Sequence, residues 1–128
     1  WESDESFDRV LLDAPCSGTG VLAKRADLRW RREASDIQQL AALQDSLLDA
    51  ASQHVSPGGL LVYSTCSLES EENEERVAAF LSRRPEFSRE DVGTSVPAEM
   101  RSPIGDYRAL PHVHGTDGAY AARLRRAA

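Results

Sequence analysis

Cysteine is scarce in this sequence: only Cys16 and Cys66 occur, far apart and outside any CxxC spacing. The usual signature of a zinc site or a thioredoxin-like redox centre is therefore missing, and neither a metal nor a disulfide is favoured. Long apolar runs are missing as well. No stretch approaches the roughly 20 residues needed to cross a bilayer, and no signal-peptide pattern precedes the first strand, so a soluble, cytoplasmic protein with no membrane partner is expected. Nor is positive charge in excess. The net charge of -6 argues against tight binding of nucleic acid by the whole surface, because neutralising phosphates takes clustered Lys and Arg. No internal repeat or low-complexity tract is apparent. The chain starts at Trp1 without an initiator Met and soon enters the apolar run Val10-Leu11-Leu12. That leaves no room for an N-terminal cap or a first helix, so the chain is expected to be a piece of something longer.

What is present suffices for one compact core and is too little for two: 128 residues, 41% of them hydrophobic. Phe7 to Leu12 reads as a first strand. Asp13-Ala-Pro-Cys-Ser-Gly-Thr-Gly20 follows, a loop rich in turn residues in which Pro15 biases Ala14 away from helix and Gly18 and Gly20 permit close approach to a ligand. It lacks the Gly-Lys-Ser/Thr ending and the GxGxxG spacing, so nucleotide-triphosphate binding is not favoured. Ser35-Asp36-Ile37-Gln38 opens a helix with a capping box. Ile37, Leu40, Ala41, Leu47, Leu48, Ala51 and Val55 then recur at helical spacing, predicting a helix from about Asp36 to Val55 that Pro57-Gly58-Gly59 terminates.

Leu60-Leu61-Val62-Tyr63 has no polar alternation, as expected of a strand covered on both faces of a parallel sheet. Strand, helix, strand makes a right-handed βαβ unit with two parallel strands in one sheet. From Ser67 to Arg84 the chain turns helical, with Val77, Phe80 and Leu81 inward and Glu69, Glu71, Glu72, Glu74 and Glu75 crowding the start; a stabilised helix start explains this acidic run better than a metal site. Pro85 to Pro111 loses periodicity. A short strand near Phe87 to Val92 and then a long surface loop are expected there. His114 to Gly118 reads as a turn, and Ala119 to Leu124 as a closing strand.

Ligands bind at the carboxyl ends of such parallel strands. Asp13 and Cys16 should therefore converge with Cys66 on one crevice. A thiol at a strand end just before a helix start can be held as thiolate by backbone amides, which suits a nucleophile, with a carboxylate and a second thiol nearby for acid-base help. A lone Cys is more often a small buried hydrophobe, and Asp after a strand often only turns the chain. Spacing alone leaves both readings open. Lys24, Arg25, Arg29, Arg31 and Arg32 form one basic patch and Arg123, Arg125 and Arg126 another; each is as readily solvated charge as a binding surface.

Four separated motifs carry a family resemblance: DAPCSGTG (Asp13 to Gly20), DLRWRR after it, PGGLLVYSTCSLESEEN (Pro57 to Asn73) and HGTDG near the end. Together, and in this order, the chain resembles the Sun-type RNA (cytosine-5) methyltransferases, and most closely the bacterial branch acting on small-subunit ribosomal RNA. The resemblance implies the C-terminal half of a Rossmann-like α/β fold, mostly parallel with an antiparallel closing strand. Residues 1 to 128 would form a partial catalytic domain, a monomer whose partner is RNA and whose cofactor is S-adenosylmethionine. Cys66 would be the nucleophile that adds to carbon 6 of cytosine, Cys16 would assist product release, and Asp13 would contact the cofactor or the base. The basic patch around Lys24, Arg25, Arg29, Arg31 and Arg32 would meet RNA. In cytosine-5 DNA methyltransferases the Pro-Cys thiol is the nucleophile; here Thr65-Cys66 assigns that role to Cys66. Two departures are Ala26, where the family commonly has Pro, and Ala119-Tyr120 in place of two large aromatics, which is expected to loosen packing. The family's glycine-rich cofactor loop, acidic ribose-binding residue and catalytic lysine have no counterpart in these 128 residues. A non-catalytic RNA-binding or ribosome-assembly module is the alternative. A cysteine hydrolase or acyltransferase fits less well, since His112 and His114 have no evident placement against Cys66.

Overall fold

The structure, a computed structural model, describes residues 5–17, 34–110 and 118–128. Strand β1 (Phe7–Asp13) is followed by helix α1 (Ala34–Ser52), strand β2 (Val55–Thr65), helix α2 (Glu74–Arg83), strands β3 (Phe87–Glu90) and β4 (Tyr107–Ala109), and the closing strand β5 (Ala119–Arg126). The sheet order is β1-β2-β5-β3, with β4 also on β5. β1 and β2 are parallel, the pairing that a helical crossover produces. β5 is antiparallel to β2, and β3 and β4 line the far edge of β5, one against each half, both antiparallel to it. The α/β half with a parallel pair and an antiparallel closing strand is as expected.

The core lies where both helices cover one face of this sheet. Alternation along β2 sends Leu61 and Tyr63 to that face, beside Leu124 and Ala122 of β5, and Leu48 of α1 with Val77 and Phe80 of α2 closes over them. Phe80 and Phe87 pack with ring centroids 5.2 Å apart, and Tyr63 meets Tyr120 edge-on at 6.5 Å. Each fully buried side chain of this size contributes about 1.5–3 kcal/mol by leaving water. β1 has no strand on its outer side among the described residues, and Leu11 there is 69% exposed.

Three local expectations change. Pro57-Gly58-Gly59 does not end the helix. α1 stops at Ser52, its last turn tightened by bonds from Gln53 N–H and His54 N–H to Ala50 and Ala51 carbonyls, and Val55 is the buried first residue of β2. The Pro-Gly-Gly segment is a bulge within β2, where the register against β1 jumps from Phe7↔Val55 to Arg9↔Leu60. Gly58 adopts φ +79°, and a Cβ on Gly59 would lie 2.8 Å from Ser56 O and 3.0 Å from Asp8 O; the glycines serve the bulge.

The helix after Cys66 is also interrupted. Ser70–Glu72 forms a 3-10 turn, Asn73 breaks the path at φ -112°, ψ -102°, and α2 starts at Glu74, because Asn73 is drawn back to bond Thr65 and Ser67. Thirdly, the long surface loop expected after the short strand β3 is tied down at its end, where it also gains β4. Fully buried Asp106 receives Arg89 Nε at 3.0 Å and the Tyr120 hydroxyl, and Val92 N–H bonds Gly105 O. Tyr120, where this chain departs from the family pattern, is 1% exposed and donates to that carboxylate.

Candidate active site

The carboxyl ends of the parallel pair β1 and β2 carry the two cysteines. Pairing continues one residue past β1, with Ala14 N–H on Ser64 O at 2.9 Å, so the loops leaving both strands start side by side. Cys16 Sγ and Cys66 Sγ, 50 residues apart in sequence, lie 3.1 Å apart, both reduced; Cys66 is exposed and Cys16 half-buried. Asp13, at the end of β1, is exposed and accepts a bond from Ser64 Oγ at 3.0 Å. All three expected crevice residues are therefore at one end of the sheet.

Each cysteine is followed by a serine that is buried, Ser17 at 0% and Ser67 at 1% exposure. Both serines donate to the carboxylate of Glu72, itself 0% exposed. Ser17 gives its N–H to Oε1 at 2.8 Å and its hydroxyl to Oε2 at 2.6 Å; the Ser67 hydroxyl also donates to Oε2, and Gln44 Nε2 reaches Oε1 at 3.2 Å. Gln44, buried in α1, also holds the Pro15 carbonyl at 2.9 Å. The turn around Cys66 is fixed further by Ser67 N–H on Thr65 Oγ1 (3.2 Å), Glu69 N–H on Ser67 Oγ (2.9 Å) and Asn73 Nδ2 on Ser67 O (2.9 Å). A buried carboxylate is tolerable only when hydrogen bonds replace its lost hydration, and four do so here.

Burial raises two acidic groups around the turn. Burial, then the Glu72 and Cys16 charges, push the Tyr63 phenol well above its ordinary range, so Tyr63 stays a donor, to Glu72 O at 2.6 Å. Burial and the nearby Glu71 and Glu72 raise the carboxyl of Glu69. Among the described residues no group of three His, Cys, Asp or Glu is arranged to hold a metal, and no helix is long and apolar enough to cross a membrane.

Other expectations are placed differently. Lys24, Arg25, Ala26, Arg29, Arg31 and Arg32 lie outside the described residues, as do His112 and His114. In the C-terminal basic cluster, Arg123 and Arg125 pair with Glu90 at 2.7 and 3.0 Å, and Arg126 bonds Val55 O, so that cluster staples the sheet edge. The sequence reading missed Glu72, Gln44, Ser17, Ser67 and Asn73. Two left a signal: Gln44 falls in phase with the apolar stripe of α1, and Asn73 stands four residues before Val77 and seven before Phe80. Nothing local separates Glu72 from the neighbouring glutamates.

The chain is similar to known proteins in sequence and in fold. Residues 1–125 match the family model described as 16S rRNA methyltransferase RsmB/F. Ribosomal RNA small subunit methyltransferase B of Yersinia pseudotuberculosis (serotype O:1b, strain IP 31758) is 41% identical over 124 residues, 97% of this chain. The protein of the same name from Yersinia pestis is equally similar. The chain spans 27% of the length of these curated relatives. Among solved structures, PH0851 superposes with TM-score 0.87 at 39% identity, over 96% of this chain and 27% of that one. NSun6 from Pyrococcus horikoshii, solved with SFG, gives 0.80 at 33% identity, over 97% and 31%.

Proposed function

Since the chain belongs to the RsmB/F family of 16S rRNA methyltransferases, we propose that its paired thiols are the covalent machinery of an S-adenosylmethionine-dependent RNA (cytosine-5) methyltransferase acting on ribosomal RNA. The observation that carries this reading is the 3.1 Å approach of two thiols on facing loops, one of them open to solvent. These 128 residues are part of the catalytic domain, working in the cytoplasm as a monomer.

Cys66, as thiolate, adds to carbon 6 of a cytosine turned out of its stack, forming a C6–S bond and moving electron density to carbon 5. Bound S-adenosylmethionine supplies the electrophilic methyl group. After transfer the carbon 5 proton must leave, its electrons closing the C5–C6 double bond while the C6–S bond breaks and Cys66 departs as thiolate. Cys16, in contact with Cys66, assists this elimination. Asp13 fits a contact to cofactor or base: its carboxylate is exposed and steadied by Ser64 at the strand end where open α/β sheets take ligands. Lys24, Arg25, Arg29, Arg31 and Arg32 meet the RNA backbone, and the glycine-rich cofactor loop belongs to the rest of the enzyme. Support for the cofactor comes from NSun6, solved with SFG, an S-adenosylmethionine analogue.

The test uses the full-length protein and ribosomal RNA carrying 5-fluorocytosine, whose fluorine cannot leave as a proton and so preserves the C6–S bond. A covalent complex on a denaturing gel, lost in Cys66→Ala, is the expected result. Cys16→Ala should accumulate the complex on natural RNA. No complex with the unaltered protein would sink the reading.

A further inference from the structure

We propose that Glu72 is the positioning residue that sets the two thiols against each other, a role that deepens and rests on the methyltransferase reading above. The argument is where its bonds end. Every side-chain hydrogen bond described for the Glu72 carboxylate goes to Ser17, to Ser67 or to Gln44. Ser17 and Ser67 each directly follow a cysteine, and Gln44 holds the carbonyl of Pro15, which directly precedes Cys16. The carboxylate therefore joins the chain on both sides of Cys16 to the residue after Cys66. A carboxylate serving only the core would have no reason to spend its bonds this way.

The arrangement also suits a group with two accepting oxygens. Both serine hydroxyls converge on Oε2, and Ser17 N–H and Gln44 Nε2 converge on Oε1, so three residues supply four donor groups and both oxygens accept. An amide at this position either sets its NH2 against the Ser17 N–H and Gln44 Nε2 donors, or keeps its oxygen there and makes both serine hydroxyls reverse and accept. Glu72 is fully buried. It acts through Cys16 and Cys66 and does not touch the base.

The two readings separate in one set of measurements on the full-length protein. Diamide oxidises the neighbouring thiols to a disulfide, the two thiol hydrogens passing to diamide, and the rate of Cys16–Cys66 coupling, followed by mass spectrometry of the joined peptides, reads how often the sulfurs meet. Coupling should slow about tenfold or more in Glu72→Ala and by a smaller factor in Glu72→Gln, since displacements near 1 Å at a reacting pair cost up to about a hundredfold. Both variants should also trap a larger share of folded enzyme as covalent complex on natural RNA, because release by Cys16 is displaced from attack by Cys66. A merely structural glutamate would lower the folded fraction and leave that share unchanged. Wild-type coupling and a wild-type trapped share in folded Glu72→Ala would overturn the proposal. Should Glu72→Ala not fold, Ser67→Ala, which removes one hydroxyl, must slow coupling, and an unchanged rate overturns the proposal equally. If the unaltered protein forms no complex with 5-fluorocytosine RNA yet Glu72→Ala slows coupling, the methyltransferase reading fails and the positioning role stands.

Discussion

The buried contact between Asp106 and Tyr120 should behave as one coupled unit holding β4 and the preceding turns to the sheet. Asp106 is fully buried, Tyr120 is 1% exposed, and the phenol donates to Oδ2 while Arg89 Nε reaches Oδ1 at 3.0 Å. Burial and the Asp106 carboxylate raise the Tyr120 phenol far above its ordinary range, so it remains a neutral donor at any practical pH. Tyr120→Phe deletes one hydrogen bond to a charged acceptor, worth about 1.5–3 kcal/mol. Asp106→Ala costs more, about 2–4 kcal/mol: breaking a buried ion pair takes up to about 5, but the Arg89 side chain is 23% exposed and recovers part of its hydration. With Asp106 already gone, Tyr120→Phe should cost under about 0.5 kcal/mol, leaving a coupling of about 1–3 kcal/mol, within the range for neighbours in one network. Hydrogen exchange of the β5 amides in the full-length protein reads the local opening energy, and each 1.4 kcal/mol is about tenfold in rate. Additive effects of the two substitutions, or a Tyr120→Phe cost below about 0.5 kcal/mol in the native background, would refute this account.

Three further outcomes follow from other contacts. Gly59→Ala should destabilise by about 1–3 kcal/mol in thermal unfolding, because its Cβ meets two backbone oxygens at 2.8 and 3.0 Å that the bulge cannot move; a neutral result would mean the bulge relaxes. Glu90 is held below the ordinary glutamate range, by hydrogen bonding from Arg125 first, against opposing desolvation, with the Arg125 and Arg123 charges adding. Its contribution to stability is then complete above that range, about pH 4.3, and lost as pH falls below it. Acid unfolding of Glu90→Gln should show a shallower slope in that window, and an unchanged slope would count against the pairing. Gln44→Met keeps the volume but removes the donor to the Pro15 carbonyl and to Glu72, an expected loss of about 1–2 kcal/mol in thermal unfolding; no loss would mean that water replaces the amide.

Much of the architecture was legible because it rests on local periodicity. The stripe from Ile37 to Ala51 makes a helix whatever it packs on, the apolar run Leu60 to Tyr63 makes a covered strand, and a helix between two strands makes them parallel. From those three facts Asp13, Cys16 and Cys66 were expected at one end of the sheet. The local misreadings share one cause. Pro57-Gly58-Gly59 carries the same residues whether it stops a helix or bulges a strand, and only its contacts with Asp8, Ala127 and Arg125 select the bulge. The segment before Tyr107 has no period because its order comes from its own last carboxylate, Asp106, meeting Arg89 and Tyr120 from other strands.

The thiols themselves were written in the sequence, as were their order, their loops and the family they resemble. What the chain could not announce was which of five crowded glutamates goes inside. Glu72 has no phase, spacing or neighbour that distinguishes it; it is selected because Ser17, Ser67 and Gln44, brought together from three elements, supply the four donors that make a buried carboxylate tolerable. Sequence placed two cysteines at one end of a sheet, and tertiary structure set them 3.1 Å apart, because the hydrogen bonds that fix that separation join residues up to 55 positions away from one another.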